Sequence, residues 1–392
     1  MLINLQSFYP DNLIIELPRS KSLYIRFLIA CFLKNGSILP IAKDEAEDID
    51  IVAQALQQIH ACVPQNCPYP IQVKDCGAAW RFFTALLSVT QGKWLLCGSK
   101  RVMQRPIKPL ISALQNIGAE IKETSDGLLI QGKTLHTTEM TIDASESSQF
   151  VSALLLIAPK TGMQKLHIIP DNPPSFPYIE MTKKVMKKVE NENIPFSIEK
   201  IEADWSSAAF WYAFAILRNT TIYFPNLSLN SLQGDSILAQ WATYWNVTSN
   251  QIDNGVKIDA TSKNSSSIPP KVLDFTNFSD LAPVLIVLSL LTNQEFIFTG
   301  LQNLNTKESQ RKEVIIQELS PFADFELVDD STLRMYNIKV PKGKKLSFSS
   351  HRDHRFVMAF TLFALYNIVE IDNVEIVKKS YPKFLDLINK SS

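Results

Sequence analysis

The sequence lacks a net charge, because 39 Lys and Arg residues balance 39 Asp and Glu residues. A chain without an overall electrostatic field has no general attraction for nucleic acid or for an anionic membrane. Any site that binds an anion must therefore depend on a local cluster of positive charge.

Cysteines are few, and they follow no metal-binding pattern. The five cysteines are odd in number, form no CxxC pair and have no His at zinc spacing; they are Cys31, Cys62, Cys67, Cys76 and Cys97. This pattern is typical of reduced thiols and does not favour a disulfide framework or a zinc site.

Long hydrophobic runs are also missing. The run LAPVLIVLSLL at 281–291 is much shorter than the roughly 20 residues needed to cross a bilayer. The first residues, MLINLQSFYPDN, lack the basic segment and apolar stretch of a secretory signal, so we expect a cytoplasmic protein. With 46% hydrophobic and 20% charged residues over 392 positions, the composition is typical of a globular protein with two domains.

An internal repeat is present: six times, a polar or charged turn leads directly into an apolar helix. The copies lie about 55 to 75 residues apart and begin near residues 17, 75, 145, 204, 278 and 351. A helix that is apolar on every face must be surrounded by protein, so each of these helices is predicted to lie in a domain interior.

A second pattern follows several of these helices: an amphipathic helix, a strand, a tight turn and another strand. In 106–132, Gly118 can end the helix and Asp126-Gly127 predicts a two-residue hairpin. The segment 236–260 repeats the pattern with Asn254-Gly255 in the turn, and 311–337 repeats it again. Six units divide naturally into two domains of three.

The residues at the starts of the six apolar helices indicate that the protein binds an anion. The N-terminus of a helix has unpaired N–H groups and a partial positive charge, so it can bind an anion. Any one of the serines there is also a good N-cap, and any one buried arginine, such as Arg26 or Arg81, could belong to a structural ion pair. Lys307, Glu308 and Arg311 taken alone could form a solvated surface. The recurrence of Lys and Arg at these starts favours an anion site, because capping does not require it.

Five short motifs resemble those of the enolpyruvyl transferases, and most of all those of the members that use shikimate 3-phosphate. They occur in the family's order over about 340 residues: SKSLYIR (20–26), QRPIKPL (104–110), SESSQF (145–150), NTKESQR (305–311) and RDHR (352–355). Each motif alone is weak, but five in the right order are specific.

The resemblance implies a fold. It is the inverse α/β fold of that family, with two domains that each contain three βαβαββ units around buried parallel helices. By similarity, residues 20–202 form the N-terminal domain, and residues 1–19 with 203–392 form the C-terminal domain. The chain is expected to cross between them near Ser20 and Ala203, with the active site in the cleft between the domains.

The resemblance also implies a reaction, in which the enolpyruvyl group of phosphoenolpyruvate moves to the 5-hydroxyl of shikimate 3-phosphate and phosphate is released. Protonation of C3 and attack of the hydroxyl at C2 give a tetrahedral intermediate, which then loses phosphate. The product leads to chorismate and the aromatic amino acids. Because both substrates are polyanions, positioning and focused positive charge should carry much of the rate. No metal, organic cofactor, nucleic acid or membrane is implied, and we expect a monomer.

The resemblance assigns residues to roles by motif. Lys21 is implied to touch both substrates, Asp280 to take the proton from the attacking hydroxyl, and Glu308 to exchange a proton with C3. The residues implied to bind shikimate 3-phosphate are Lys21, Ser22, Arg26, Ser147, Ser148, Gln149, Ser175, Tyr178, Asp280, Asn303 and Lys307. Those implied to bind phosphoenolpyruvate are Lys21, Gly77, Arg105, Gln149, Arg311, Arg355 and Lys379.

Four positions depart from the family pattern. Arg19 replaces a usual Gly, Asp75 and Ala78 replace Asn and Thr beside the phosphoenolpyruvate site, and Gln310 replaces Asp. The extra negative charge at Asp75 should weaken the binding of an anion, and Arg19 could offset it.

Two alternatives stay open. A related transferase acts on UDP-N-acetylglucosamine, but it uses a Lys-Asn pair near the start and a reactive loop cysteine. Here the first motif reads SKS, and Cys97 lies on an apolar strand. The other alternative is a non-catalytic homologue that acts as a binding module, since a fold alone does not prove chemistry.

Overall fold

The computed structural model describes residues 1–8, 10–41, 45–62, 67–191, 199, 201–261 and 271–390. The chain forms two compact units. The central unit is Lys21–Ile201, and the terminal unit joins Met1–Ser20 to Glu202–Ser392. The terminal unit begins with two short strands, β1 (Leu2–Ile3) and β2 (Asn12–Ile14).

The central unit surrounds three buried helices with strands and outer helices. Its helices are α1 (Lys21–Asn35), α2 (Glu47–Ala61), α3 (Gly77–Ser88), α4 (Lys100–Met103), α5 (Lys108–Asn116), α6 (Ser148–Thr161) and α7 (Phe176–Asn191). Its strands are β3 (Tyr69–Gln72), β4 (Gly92–Cys97), β5 (Glu120–Thr124), β6 (Gly127–Gly132), β7 (Glu139–Asp143) and β8 (Lys165–Ile169). The strands form a sheet in the order β3-β4-β6-β5 and a parallel pair, β7-β8.

The described residues of the terminal unit form three sheets. Its remaining strands are β9 (Thr221–Pro225), β10 (Thr248–Ile252), β11 (Gly255–Asp259), β12 (Val272–Asp274), β13 (Phe296–Thr299), β14 (Asp324–Asp329), β15 (Thr332–Tyr336), β16 (Lys345–Phe348) and β17 (Ile368–Ile371). Its α-helices are α8 (Trp205–Arg218), α9 (Leu238–Trp241), α10 (Ala282–Leu291), α11 (Arg311–Leu319), α12 (His354–Thr361) and α13 (Phe384–Lys390). The sheet orders are β10-β11-β9-β2, β12-β13-β15-β14 and β1-β17-β16.

The apolar helices predicted from the sequence are buried, as expected. In α3 every residue except Ala78 is buried, in α8 every residue except Ile216, and in α10 every residue except Leu291. In the central unit α6 packs against α1 and α3; in the terminal unit α10 packs against α8 and α12. Burial of these side chains is the main source of stability in each unit, because apolar surface leaves water there.

The predicted hairpins are also confirmed. Each turn lies one residue earlier than predicted: β5 and β6 pair antiparallel with Ser125-Asp126 in the turn and Gly127 opposite Thr124, and β10 and β11 with Asp253-Asn254 in the turn and Gly255 opposite Ile252. Gly118 has φ +94°, which is the conformation expected of a glycine that ends a helix.

The repeat is less uniform than the sequence predicts. Among the described residues the order βαβαββ is complete in three units, which start at β3, β2 and β12. The segment predicted as one amphipathic helix at 236–246 forms a 3₁₀ turn (Gly234–Ile237), the short α9 and a second 3₁₀ turn (Ala242–Trp245).

Candidate active site

In the central unit, the first of the five motifs, SKSLYIR, lies at the start of α1. Lys21 is the first helical residue, and its Nζ lies 2.9 Å from Oδ2 of the buried Asp48 in α2. Ser22 is half-buried and accepts a hydrogen bond at its backbone oxygen from Arg26 Nη1 at 2.8 Å. The chain thus orients two cations near one helix N-terminus.

Arg26 is buried, and in the described part of the chain it binds only neutral partners. Its Nε donates to Thr182 Oγ1 at 2.7 Å and its Nη2 to Ser152 Oγ at 3.3 Å, so its guanidinium connects α1 with α6 and α7. The same guanidinium lies 5.3 Å from the centre of the Phe82 ring.

Burial lowers the pKa of Arg26 to about 10, and the guanidinium is still charged at neutral pH. The structural ion pair that the sequence left open for Arg26 is absent from the described part of the chain. A buried cation without a carboxylate partner is costly, and an anionic ligand would offset that cost.

The second predicted group lies at the start of α6. Ser147 caps this helix and accepts from the backbone N–H of Gln149 at 3.3 Å, while Ser148 is buried in its first turn. Arg81 of α3 donates from Nη1 to Gln149 Oε1 at 2.6 Å and from Nε and Nη2 to the backbone oxygen of Pro106. Arg81 therefore fixes the Gln149 amide and also supports the segment that follows Arg105.

Ser175 and Tyr178 lie just before and within the first turn of α7. Ser175 has φ +61°, a conformation that few residues other than glycine adopt, and its carbonyl accepts from the Tyr178 N–H at 3.1 Å. The Tyr178 ring centre is 5.7 Å from the Arg26 guanidinium carbon. The starts of α1, α6 and α7 are thus linked around Arg26.

Gly77 and Arg105 are in close contact. A Cβ atom added to Gly77 would lie 2.1 Å from Arg105 Nη1, so the guanidinium of Arg105 lies directly against this glycine and would have to shift for any larger residue. Asp75, two residues earlier, is exposed and accepts a short hydrogen bond from Ser99 Oγ, and Ser99 in turn caps α4. The departure from the family pattern at Asp75 therefore places a carboxylate close in sequence to this contact.

In the terminal unit, Arg311 is fully buried at the start of α11 and binds three carboxylates. Its Nη1 lies 2.9 Å from Asp280, its Nη2 2.8 Å from Glu308, and its Nε 2.8 Å from Asp353. Arg355 Nη2 adds a fourth ion pair, 3.0 Å from the other oxygen of Asp280. This group, Asp280, Glu308, Arg311, Asp353 and Arg355, is the arginine–carboxylate network.

The network sets the charge of Asp280. Burial alone would raise its pKa, but Arg355, Lys307 and Arg311 outweigh burial and hold the pKa of Asp280 well below its usual range. Asp280 is therefore ionised at neutral pH. A carboxylate in this state can accept a proton, and its basicity increases when the arginines turn to another anion.

Asp353 supports the network from the start of α12. It is fully buried, it accepts from the Arg355 N–H at 3.0 Å as an N-cap, and it accepts from Ser309 Oγ at 3.1 Å. Burial would raise its pKa, but the charge of Arg311 lowers it. One side chain thus fixes both the helix start and the buried arginine.

Two further predicted residues of the terminal unit are Asn303 and Lys379. Asn303 is half-buried and precedes a 3₁₀ turn at Leu304–Thr306. Lys379 is buried at the end of the 3₁₀ helix Val374–Lys379, which packs against α12. Gln310, where the family has Asp, is exposed at the start of α11.

Sequence reasoning missed two buried carboxylates near these groups. Asp48 is the partner of Lys21, and Asp235 accepts from Ser206 Oγ in the terminal unit. Neither residue stands in a motif, and their burial arises only from packing between helices distant in sequence. Asp353 stands inside RDHR, directly before an apolar helix, so its role as an N-cap could have been predicted from the sequence.

The described residues contain neither a metal-binding cluster nor a membrane-spanning helix. No three His, Cys, Asp or Glu side chains there are placed to share a metal ion. No helix there has the length and apolar character needed to span a membrane.

Comparisons with known proteins all indicate the same family. The family model of EPSP synthase (3-phosphoshikimate 1-carboxyvinyltransferase) matches residues 37–388. A 3-phosphoshikimate 1-carboxyvinyltransferase of Bacteroides fragilis (strain NCTC 9343) is 33% identical over 96% of this chain and 94% of its own length. The enzyme of that name from Dehalococcoides mccartyi (strain 195) is 28% identical over 94% of this chain and 93% of its own.

A solved EPSP synthase from Acinetobacter baumannii has the same fold. It superposes with a TM-score of 0.72 over 100% of this chain and 98% of its own, at 18% identity. The predicted α/β fold of the enolpyruvyl transferases is thus confirmed, and so is the resemblance read from the five motifs. With a family model that matches most of the chain, this protein belongs to the EPSP synthase (3-phosphoshikimate 1-carboxyvinyltransferase) family.

Proposed function

We propose that this enzyme transfers the enolpyruvyl group of phosphoenolpyruvate to the 5-hydroxyl of shikimate 3-phosphate. The observation that carries the proposal is the arginine–carboxylate network, because it joins four residues that the motifs assign to the reaction: Asp280, Glu308, Arg311 and Arg355. Family membership supports the same reaction and the same two small-molecule substrates.

The central unit supplies groups suited to shikimate 3-phosphate. Arg26 is charged, buried and bound to neutral partners, and Lys21, Ser22 and Ser147 stand at two helix starts. A phosphate monoester is a good ligand for such a group, since it accepts charge-assisted hydrogen bonds from both cations and helix N–H groups. Ser148, Gln149, Ser175 and Tyr178 belong to this half of the proposed site.

The terminal unit supplies the acid, the base and the carboxylate clamp. We assign Arg311 and Arg355 to the carboxylate of phosphoenolpyruvate, since a guanidinium pair suits a planar anion. When either arginine binds the carboxylate of phosphoenolpyruvate, its ion pair with Asp280 weakens. Asp280 then becomes more basic toward the attacking hydroxyl. Glu308 protonates C3 and later removes a proton from the methyl group.

The remaining predicted residues complete this assignment. We propose that the two units are the two domains and that the site lies in a cleft between them. Lys21, Gly77, Arg105, Gln149 and Lys379 would contact phosphoenolpyruvate there, and Asn303 and Lys307 would contact shikimate 3-phosphate. We also propose a monomeric enzyme of the cytoplasm.

The two alternatives have less support. Cys97 lies on β4, and burial, followed by the charge of Asp126, raises the pKa of its thiol, which is the opposite of what a reactive cysteine needs. This disfavours the transferase that acts on UDP-N-acetylglucosamine. A non-catalytic homologue is disfavoured because Lys21, Asp280 and Glu308 are all of the type that the reaction requires.

The test is phosphate release from phosphoenolpyruvate with shikimate 3-phosphate or UDP-N-acetylglucosamine as acceptor. We expect release only with shikimate 3-phosphate. Glu308→Gln should lower kcat by at least about 100-fold, the usual effect of losing a general acid or base, while substrate binding persists. Glu313→Gln, in the first turn of α11, is the control, because its side chain binds Asn305 and has no assigned role. Release with UDP-N-acetylglucosamine instead, or with neither acceptor, would refute the proposal.

A further inference from the structure

The segment directly before α12 forms an unusual turn. Residues Ser350 to Asp353 make a four-residue turn that is closed by the Asp353 N–H, which donates to the Ser350 oxygen at 2.9 Å. Both central residues have positive φ, His351 at +48° and Arg352 at +54°. This is the pattern of a type I′ turn, whose central positions usually hold glycine, asparagine or aspartate. Neither central residue here is one of these, so the turn has a conformational cost that its surroundings must offset.

Contacts from two other elements hold this turn. Asp372, which follows β17, accepts from the Ser350 N–H at 2.6 Å and from Ser349 Oγ at 2.9 Å. Glu318, in the last turn of α11, has its Oε1 2.6 Å from His351 Nε2. Because a carboxylate only accepts hydrogen bonds, the histidine Nε2 carries the hydrogen of this contact. Asp372 therefore fixes the backbone where the turn begins, and Glu318 fixes a side chain at its centre.

The turn ends at a residue of the arginine–carboxylate network. Asp353 accepts from Arg311 Nε at 2.8 Å and from the Arg355 N–H at 3.0 Å. Helix α11 thus contacts the turn twice, through Arg311 at its start and through Glu318 in its last turn. The side chains of His351 and Glu318 are only 23% and 12% exposed, so water competes little for their hydrogen bond.

We propose that Glu318 and His351 are positioning residues for the arginine–carboxylate network. Their contact holds the turn at positive φ, and the turn places Asp353 where it orients Arg311 and the start of α12, which carries Arg355. Without the contact the turn relaxes toward negative φ, and Asp353 moves from its position between the two arginines. This inference rests on the proposed function, in which these arginines bind the carboxylate of phosphoenolpyruvate.

The test measures the effect of Glu318→Ala in two backgrounds, the wild type and His351→Gly. Glycine adopts positive φ at little cost, so a turn with glycine at its centre no longer depends on Glu318. We expect Glu318→Ala to raise the KM for phosphoenolpyruvate about fivefold in the wild-type background and less than about twofold in the His351→Gly background.

Other readouts separate positioning from a general loss of stability. A merely structural role would lower the amount of active enzyme, and hence the apparent kcat, without raising the KM for phosphoenolpyruvate. The KM for shikimate 3-phosphate should stay within about twofold of the wild type, since the turn contacts the network and not the starts of α1 and α6. Gln317→Ala is the control, because this residue is exposed and directly precedes Glu318 in α11.

A second comparison keeps the inference testable if Glu318→Ala does not fold. His351→Ala and His351→Gly both remove the contact with Glu318, but only alanine is strained at positive φ. The KM for phosphoenolpyruvate should therefore be about fivefold higher in His351→Ala than in His351→Gly. Equal KM values in these two variants, or an equal effect of Glu318→Ala in both backgrounds, would overturn the proposal. If the wild type releases no phosphate with shikimate 3-phosphate, the proposed function itself is wrong.

Discussion

At the scale of single residues, the site depends on buried charge. Arg26 and Arg311 are both buried arginines, yet Arg311 binds three carboxylates and Arg26 binds none in the described structure. A buried guanidinium with a carboxylate contributes to the fold, whereas one with neutral partners lowers stability. We therefore interpret Arg26 as a ligand-binding residue and Arg311 as both a structural and a binding residue.

Arg26→Met should separate binding from stability. Loss of charge-assisted hydrogen bonds to a phosphate should lower kcat/KM for shikimate 3-phosphate by about 100-fold. The free energy of unfolding should stay unchanged or rise by about 1 kcal/mol, since an uncompensated buried charge is removed. Steady-state kinetics and urea denaturation measure the two effects.

Lys34→Met is the matched control, because it removes the same charge from the last turn of the same helix. Lys34 Nζ donates to the backbone oxygens of Val189 and Glu190 and has no assigned role. Its kinetics should match the wild type. A large loss of stability in Arg26→Met without a change in KM would contradict the role given to Arg26.

Asp75→Asn should strengthen the binding of phosphoenolpyruvate. Asn restores the residue usual in the family, keeps an acceptor for Ser99 and removes one negative charge near the Gly77–Arg105 contact. We expect the KM for phosphoenolpyruvate to fall about two- to fivefold, a small effect because Asp75 is exposed to solvent. Asp126→Asn, in the exposed turn between β5 and β6, is the control, and an unchanged KM in Asp75→Asn would show that this charge does not reach the ligand.

At the scale of secondary structure, the start of α12 connects the fold to the site. Asp353 caps the helix and holds Arg311, so its replacement breaks a cap and a buried ion pair together. Ser147 caps α6 and its hydroxyl accepts from the Gln149 N–H. Replacing each residue in turn therefore compares the loss of a cap and an ion pair, at Asp353, with the loss of a cap alone, at Ser147.

Asp353→Ala should lower the free energy of unfolding at pH 7 by about 3 kcal/mol or more, the usual cost of breaking a buried ion pair. Ser147→Ala should lower it by about 1 kcal/mol, the usual worth of an N-cap. Chemical denaturation of both variants measures the difference, and equal losses would contradict the structural importance of the ion pair.

The effect of Asp353 should depend on pH. The pKa of Asp353 in the folded protein is below that of an unfolded Asp, about 3.9, so the ionised form stabilises the fold. This contribution is complete above about pH 5 and decreases as the pH falls below about 4, because the unfolded chain then binds the proton first. The stability difference between the wild type and Asp353→Ala should decrease over the same range.

Much of the secondary structure was predictable because its signals are local. The hairpin turn that ends at Gly127 and the helix end at Gly118 depend on backbone conformations that few residues adopt. The broken helix at 236–246 was not predictable in the same way, since periodicity does not report where a helix will tighten into 3₁₀ turns. Asp235 and Asp48 were missed because only tertiary packing buries them.

At the scale of the whole molecule, the candidate residues are divided between two units. The central unit contains Lys21, Arg26 and Gln149, and the terminal unit contains Asp280 and Glu308. The order of the motifs along the chain allowed these residues to be predicted without knowledge of their contacts. Their hydrogen bonds could not be predicted, since partners such as Arg26 and Thr182 are 156 residues apart.

A mixing experiment tests whether both units of one chain form each site. Arg26→Met and Glu308→Gln disable different units, and for a monomer whose site lies within one chain their mixture should be no more active than the sum of the two. Phosphate release from the mixture measures this. Recovery of up to about a quarter of the wild-type rate would indicate sites shared between subunits.

The central claim is tested most directly by NMR analysis of the product formed from phosphoenolpyruvate labelled with ¹³C at C2. With shikimate 3-phosphate present, we predict that the labelled carbon appears in an enol ether at the 5-oxygen of shikimate 3-phosphate, with one phosphate released per ether. Unchanged phosphoenolpyruvate, or label in pyruvate alone, would contradict the proposed transfer.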